Sequence, residues 1–477
     1  MMPVSAARWN GLAEKVNRAA DAPWFLAAGL CLTILLHIVA SSHLITTSNQ
    51  DRTRSDQGAE IWLARVTMHH GDLWPMRTDG VRHPLWSFLV RAVAVPDDHA
   101  FFQRGKWLNT FVACGFLILL ACVGARSLGG LATLNVLLLS SLGILLVRGV
   151  YFQPEPLYYF FSFAAALCAW NILRGGAFWW FPAFGLIAGF AMLAKPSFEP
   201  MLAAFVLAAG LHAALSRNLG FSLRQAGGVA LALAVSAVVL MPLSLQKMEL
   251  FGSPTFSYPK IWMWMDDFES EAWPWQTQHP GKAQLETIPR GEIPSAGWYF
   301  RRHTFPDGLS RLSAGSAEVA SRFLFPETRR SFGELFWKKD GVAKWEQPLT
   351  HRGIYLLVLA ALPLALLAGS LRAILLREGW PAWIPPAAFA CVSLAAYLAL
   401  YGWYLPIGRG DRFMGSLWIP CVFLTAYLGR GALRFSQLPL RHLLYTSTHL
   451  VLLATLGLQA LNLLVLLASG NVLTTRN

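Results

Sequence analysis

The chain has 477 residues, of which 55% are hydrophobic and only 14% charged, and its net charge is +13. A soluble domain carries roughly a quarter charged residues, so lipid must solvate much of this surface. The positive excess forms no basic stripe apart from the apolar segments, which argues against a nucleic-acid partner.

The first apolar run begins near Trp24, behind Arg8, Lys15 and Arg18. That flank resembles a signal-peptide start, but the run reaches about His43, longer than the ~7–15 residues of a signal core, and reads as a retained first helix. About eleven spans follow from runs near the ~20 residues a membrane helix needs, at approximately 24–44, 108–125, 129–149, 157–173, 177–194, 198–216, 226–244, 352–372, 381–402, 413–430 and 445–468. Cys31, Cys114, Cys122, Cys168, Cys391 and Cys421 all lie in apolar runs, and none forms a C-x-x-C pair. A disulfide framework or a zinc site is therefore not indicated.

The positive-inside rule sets the orientation. With the N-terminus in the cytoplasm, the short cytoplasmic segments hold Arg8, Lys15, Arg18, Arg126, Arg174, Arg217, Arg224, Arg372, Arg377, Arg430, Arg434 and Arg441 against Glu14, Asp21 and Glu378. The opposite side is mixed in charge. Its first long segment, about 47–106, holds two amphipathic stretches, Asp56–His70 and Pro84–Val95, that read as helices along the interface. Its second, about 245–351, is punctuated by Pro and Gly and reads as a small mixed domain. This divides the chain into a module at about 1–244, the outer domain, and C-terminal helices at about 352–477. There is no internal repeat.

Candidate chemistry lies on the outer side. Asp51 and Asp56, with Arg52 and Arg54 between them, directly follow the first span. They read either as a solvated loop with local ion pairs or as a general base at the membrane surface. Glu155, between Pro154 and Pro156, is either a helix-start acid favoured by the dipole or a group facing a cavity. Lys195, at the end of a long apolar run, either snorkels or pairs with a phosphate. Arg409 and Arg412, behind Tyr401 and Tyr404, suit a phosphate or serve as anchors beside an aromatic belt. His83 before Pro84, and Trp262, Trp264, Trp273 and Trp275, complete the set. Tryptophan stacks on sugar faces, but it also fills belts and cores, which is the simpler reading for most of these.

The order of the segments carries more information than any one of them. Asp56-Gln57 is followed by Leu63-Ala64-Arg65, Gly71-Asp72-Leu73-Trp74 and Arg82-His83-Pro84-Leu85-Trp86. Then come Glu155-Pro156-Leu157, the Gly185 to Lys195-Pro196 run, Leu250-Phe251-Gly252-Ser253-Pro254, and Leu405 through Arg409 to Arg412-Phe413. Over roughly residues 24–430 this series resembles the GT-C superfamily of polyprenyl-phosphate-sugar glycosyltransferases, near the aminoarabinose-transferase and protein O-mannosyltransferase branch. The chain departs from that pattern at Gln57, where the family commonly has Glu, and in the single proline after His83.

The resemblance implies an all-α polytopic GT-C-like fold in a bacterial inner membrane with a periplasmic active site. It implies an inverting enzyme that moves a sugar from a polyprenyl-phosphate donor to a lipid, glycan or protein acceptor. Asp56 takes the general-base position. Lys195, Arg409 and Arg412 would bind the donor phosphate. Glu155, Asp51 and His83 would shape the site, bind acceptor or hold a divalent cation. The rival readings are a lipid-linked-sugar transporter or flippase and a non-enzymatic assembly protein. Repeated halves and midplane helix breaks, common in transporters, are not evident.

Overall fold

The computed structural model describes residues 4–47, 49–53, 56–69, 78–216, 219–289, 291–325, 352–367, 384–408, 411–436 and 438–468. These residues form helices and no strand. After α1 (Val4–Ala20) come α2 (Pro23–Thr47), α3 (Gln57–His69), α4 (Leu85–Val90), α5 (Asp98–Ser127) and α6 (Gly130–Gly149). Next are α7 (Glu155–Leu173), α8 (Trp180–Ala194), α9 (Glu199–Leu215) and α10 (Leu219–Phe251). Four short helices follow: α11 (Tyr258–Trp262), α12 (Trp273–Gln278), α13 (Lys282–Glu286) and α14 (Ala296–Arg302). The chain ends with α15 (Phe305–Leu324), α16 (Arg352–Leu366), α17 (Ile384–Tyr404), α18 (Asp411–Phe435) and α19 (Arg441–Ala468).

Among the described residues nine helices are long and apolar enough to cross a membrane, and α8 and α16 are shorter apolar helices. Each of the eleven apolar runs in the sequence thus contains a helix. Leu32, Leu35, Leu207, Val238, Leu245, Leu458 and Val465 point outward from these helices. Apolar surface this extensive suits lipid rather than water, and the chain is a multi-pass membrane protein.

Local sequence explains where the helices start and stop. Asp97 caps α5 by accepting from Ala100 N at 2.6 Å. Glu155 and Pro156 open α7, where proline's missing N–H costs nothing. Pro196 forces Lys195 into an extended conformation (φ −155°, ψ 137°) and ends α8. A capping box between Thr304 and Asp307 starts α15.

Two regions differ from the sequence reading. The N-terminal segment forms its own helix, α1, against α19, where Asn17 Nδ2 donates to Thr446 Oγ1 at 2.7 Å. Asn10 Oδ1 accepts from His442 N and Leu443 N, satisfying orphan donors at the start of α19. The described part of 245–351 is helical, not mixed. It has its own small core of Phe251, Tyr258, Trp262, Met265 and Ala272, which also takes in Ile407 after α17. α15 crosses α17 at a glycine pair: a β-carbon on Gly315 would lie 2.0 Å from the Gly402 carbonyl oxygen.

Connections meet at both ends of the bundle. At one end Asp21 binds Gly130 N at 2.7 Å and Arg430 at 3.1 Å, joining the α1–α2, α5–α6 and α18–α19 connections. The connections α2–α5, α6–α7, α8–α9, α10–α15 and α17–α18 gather at the other end, around a cavity.

Candidate functional site

The cavity has a volume of about 900 Å³ and is lined from five separate stretches of chain. Asp56, Glu60, Arg82 and His83 come from the first connection, and Gln153 and Glu155 from the second. Lys195 and Glu199 come from the third, Lys260, Trp262, Trp273 and Gln276 from the segment after α10, and Tyr401, Tyr404 and Phe413 from the α17–α18 turn.

Asp56 sits at the start of α3, which is docked firmly. Leu63 and Ala64 are buried beneath it, and Arg65 reaches Asp98 Oδ1 at 2.9 Å and the Val95 carbonyl at 2.6 Å. Gln57 is fully buried and bridges three segments: its Oε1 accepts from Asn49 Nδ2 at 2.7 Å and Phe152 N at 2.9 Å, and its Nε2 donates to the Asp51 carbonyl at 3.2 Å. Gln57 therefore holds the loop carrying Asp51 against the loop leading to Glu155.

Arg82 Nη2 pairs with Asp56 Oδ1 at 2.9 Å and Arg82 Nη1 with Asp79 Oδ2 at 2.5 Å. Asp79 also accepts from the backbone of Val81 and Arg82, so the guanidinium is fixed from its own turn. These carboxylates hold Arg82 protonated against the cost of burial.

Glu60, one helical turn after Asp56, also lines the cavity, although as a lone acid on a polar stretch it carries no motif in the sequence. Its backbone N donates to the Asp56 carbonyl at 3.0 Å, which aligns the two on α3. Glu60 is 3% exposed, and burial, opposed by Arg82 and aided by Asp56, pushes its carboxyl from 4.5 up to about 8. Near neutral pH it is therefore protonated, beside an Asp56 paired with a guanidinium.

Glu155 and Lys195 meet directly, Nζ to Oε1 at 2.7 Å. The Lys195 ammonium also lies 4.4 Å from the centre of the Phe413 ring. Phe413, in the first turn of α18, is thereby brought to the cavity. Arg409 and the side chain of Arg412 lie outside the described residues, as does Gly71-Asp72-Leu73-Trp74. Lys260 pairs with Glu199 at 2.8 Å at another part of the wall.

Two other candidates do different work. Asp51 does not line the cavity; it caps its own turn, accepting from Thr53 N at 2.8 Å and Thr53 Oγ1 at 2.6 Å. His83 lines the cavity, but both its ring nitrogens are engaged. The Met192 carbonyl can only accept, so Nδ1 carries the proton and Nε2 accepts from Lys247 Nζ at 3.3 Å. Burial first, then the Lys247 charge, pushes His83 down to about 3 and keeps it neutral. It ties the first connection to α8 and α10.

For a divalent cation the donors are few. Among the described residues no three His, Cys, Asp or Glu side chains form a group able to hold a metal. Asp56 and Glu155 each already bind a cationic side chain. What the arrangement offers instead is a fixed carboxylate, a neutral carboxyl beside it, and four cationic side chains, Arg82, Arg148, Lys195 and Lys260, on one cavity at helix ends.

No protein-family model, curated protein or solved structure matches the chain.

Proposed function

We propose that this protein is a membrane glycosyltransferase that moves a sugar from a polyprenyl-phosphate donor to an acceptor at the periplasmic face of a bacterial inner membrane. The reading draws its reaction from the GT-C resemblance. The observation that carries it is the single cavity in which Asp56, Glu60, Arg82, Glu155 and Lys195 meet at one end of a bundle of apolar helices. A lipid-linked substrate suits this layout: charged groups for the chemistry in a pocket at the helix ends, and apolar helix surface for the tail.

In the proposed reaction the acceptor O–H or N–H attacks the anomeric carbon opposite the leaving phosphate. A new bond to the sugar forms as the bond to the phosphate oxygen breaks, the configuration inverts, and the proton passes to the Asp56 carboxylate. Arg82 fixes that carboxylate through Oδ1, so it enters the reaction already oriented. The phosphate gains charge as it leaves. Lys195 would stabilise it as a pre-placed cation on the cavity wall, and the resemblance gives Arg409 and Arg412 the same role. Glu60, protonated near neutral pH, adds no further negative charge against the departing phosphate.

The test is a screen of radiolabelled polyprenyl-phosphate sugars with the full chain reconstituted in nanodiscs, using cell-envelope extract as acceptor source. Label should leave the donor lipid for at least one sugar. Intact donor across the whole panel would defeat the reading in favour of a transporter or an assembly protein, and flux of intact donor across sealed vesicles would identify the former.

A further inference from the structure

The wall built after α10 uses none of the groups assigned above to base or phosphate, and its chemistry is distinct. Trp262 is 6% exposed, with the Phe268 ring edge-on at 5.4 Å and the Tyr258 ring stacked at 6.1 Å. Its indole is locked in the small core, yet its Nε1–H is buried without a hydrogen-bond partner, and the residue lines the cavity. Gln276, on α12, also lines the cavity, and its buried Oε1 has no partner either. A buried donor and a buried acceptor left unmade each destabilise the fold unless something completes them. Trp273, which also lines the cavity and packs on the same Phe268 ring at 6.4 Å, leaves its indole 51% exposed.

A lipid tail would cover the rings but leave the N–H and the amide oxygen unpaired. A purely charged ligand would waste the indole. A saccharide ring answers all three features: its C–H face stacks on an aromatic ring, and a hydroxyl both donates and accepts. We propose that Trp262, Trp273 and Gln276 form a saccharide subsite and that the acceptor is therefore a glycan, its ring against Trp273 and its hydroxyls on Trp262 Nε1 and Gln276 Oε1. The assignment of this sugar as the acceptor rests on the glycosyltransferase reading; the subsite itself does not.

Saturation-transfer NMR tests it, with the full chain in nanodiscs and four probes: the methyl glycosides of glucose, mannose, galactose and arabinose. Saturation should reach the ring C–H protons of at least one. Its affinity should fall about tenfold in Gln276→Ala, the loss of one buried hydrogen bond, and by a similar factor in Trp273→Ala. Trp273 is half exposed, and Trp273→Phe, which keeps a ring, should recover part of the loss. Absence of transfer to all four glycosides, or transfer unchanged in both alanine variants, overturns the subsite. Asp56→Asn separates the two proposals, because it should slow turnover by about 10²–10⁴-fold and still bind the glycoside. Glycoside binding without any sugar transfer would defeat the enzyme reading alone. Sugar transfer to a peptide or lipid, with no glycoside bound, would defeat this inference alone.

Discussion

Lys195 Nζ lies 2.7 Å from Glu155 Oε1, across forty residues of sequence, and only 12% and 1% of the two side chains remain exposed. An ammonium and a carboxylate so far withdrawn from water depend on each other. Glu155 opens α7 while Lys195 ends α8, so the pair also fixes the relative height of two helix ends at the cavity wall. Removing one partner of a buried pair leaves an uncompensated charge and costs about 3–5 kcal/mol. Glu155→Ala and Lys195→Met should each lower stability on that scale. The double variant should lose much less than the sum, because neither charge is then stranded. Thermal unfolding of the purified protein in nanodiscs measures this, and additive losses would show that the pair is not coupled.

Glu60 makes stability fall with rising pH. Its carboxyl is held near 8 in the folded protein against an ordinary value of 4.5. The folded state therefore binds more protons between these values, and the stability this confers is fully present below about 4.5 and lost as pH rises through about 8. Melting temperature should decline across that window. Glu60→Gln, which keeps the neutral shape, should flatten the slope there. An unchanged slope in that variant would place the pH dependence elsewhere.

Arg82 holds Asp56 and Asp79 together through two different nitrogens. A lysine cannot reproduce that fork. On the proposed chemistry, Arg82→Lys should cut sugar transfer by roughly a hundredfold, the scale of a misplaced reacting group, with little change in donor binding. Full activity would show that Asp56 needs no such anchor.

Gly80 joins the first connection to the segment after α10. It adopts φ +80°, its carbonyl accepts from Tyr258 N at 3.0 Å, and a β-carbon there would lie 2.7 Å from the Tyr258 ring. Gly80→Ala combines backbone strain with this clash and should cost about 1–3 kcal/mol. A melting temperature equal to wild type would contradict the close packing of these two loops.

The spans were legible because a membrane imposes one rule, a long apolar run, and each expected run holds a helix. The segment after α10 was not. Pro and Gly break it into helices of five to seven residues, α11 to α14, too short for a hydrophobic period to show. In the site, Asp56, Glu155 and Lys195 were visible as charges at the edges of apolar runs, and they do share the cavity. Glu60 was not, since a lone acid on a polar helix looks solvated; only its four-residue spacing from Asp56 hinted at a shared face. Asp51 looked equivalent to Asp56 because sequence does not distinguish a turn cap from a cavity group. Gln57 is a structural amide that ties two loops together, and Glu60 places a carboxyl at the cavity beside Asp56.

In the proposed reaction Asp56 takes the proton from the acceptor. Single-turnover transfer from a radiolabelled polyprenyl-phosphate sugar, comparing wild type with Asp56→Asn in nanodiscs at saturating donor, measures that step. Asparagine preserves size and can still meet Arg82 through its oxygen, so folding and donor binding should persist. The variant should bind donor and transfer sugar about 10²–10⁴-fold more slowly, the usual contribution of a general base. Transfer at the wild-type rate by Asp56→Asn would contradict that role.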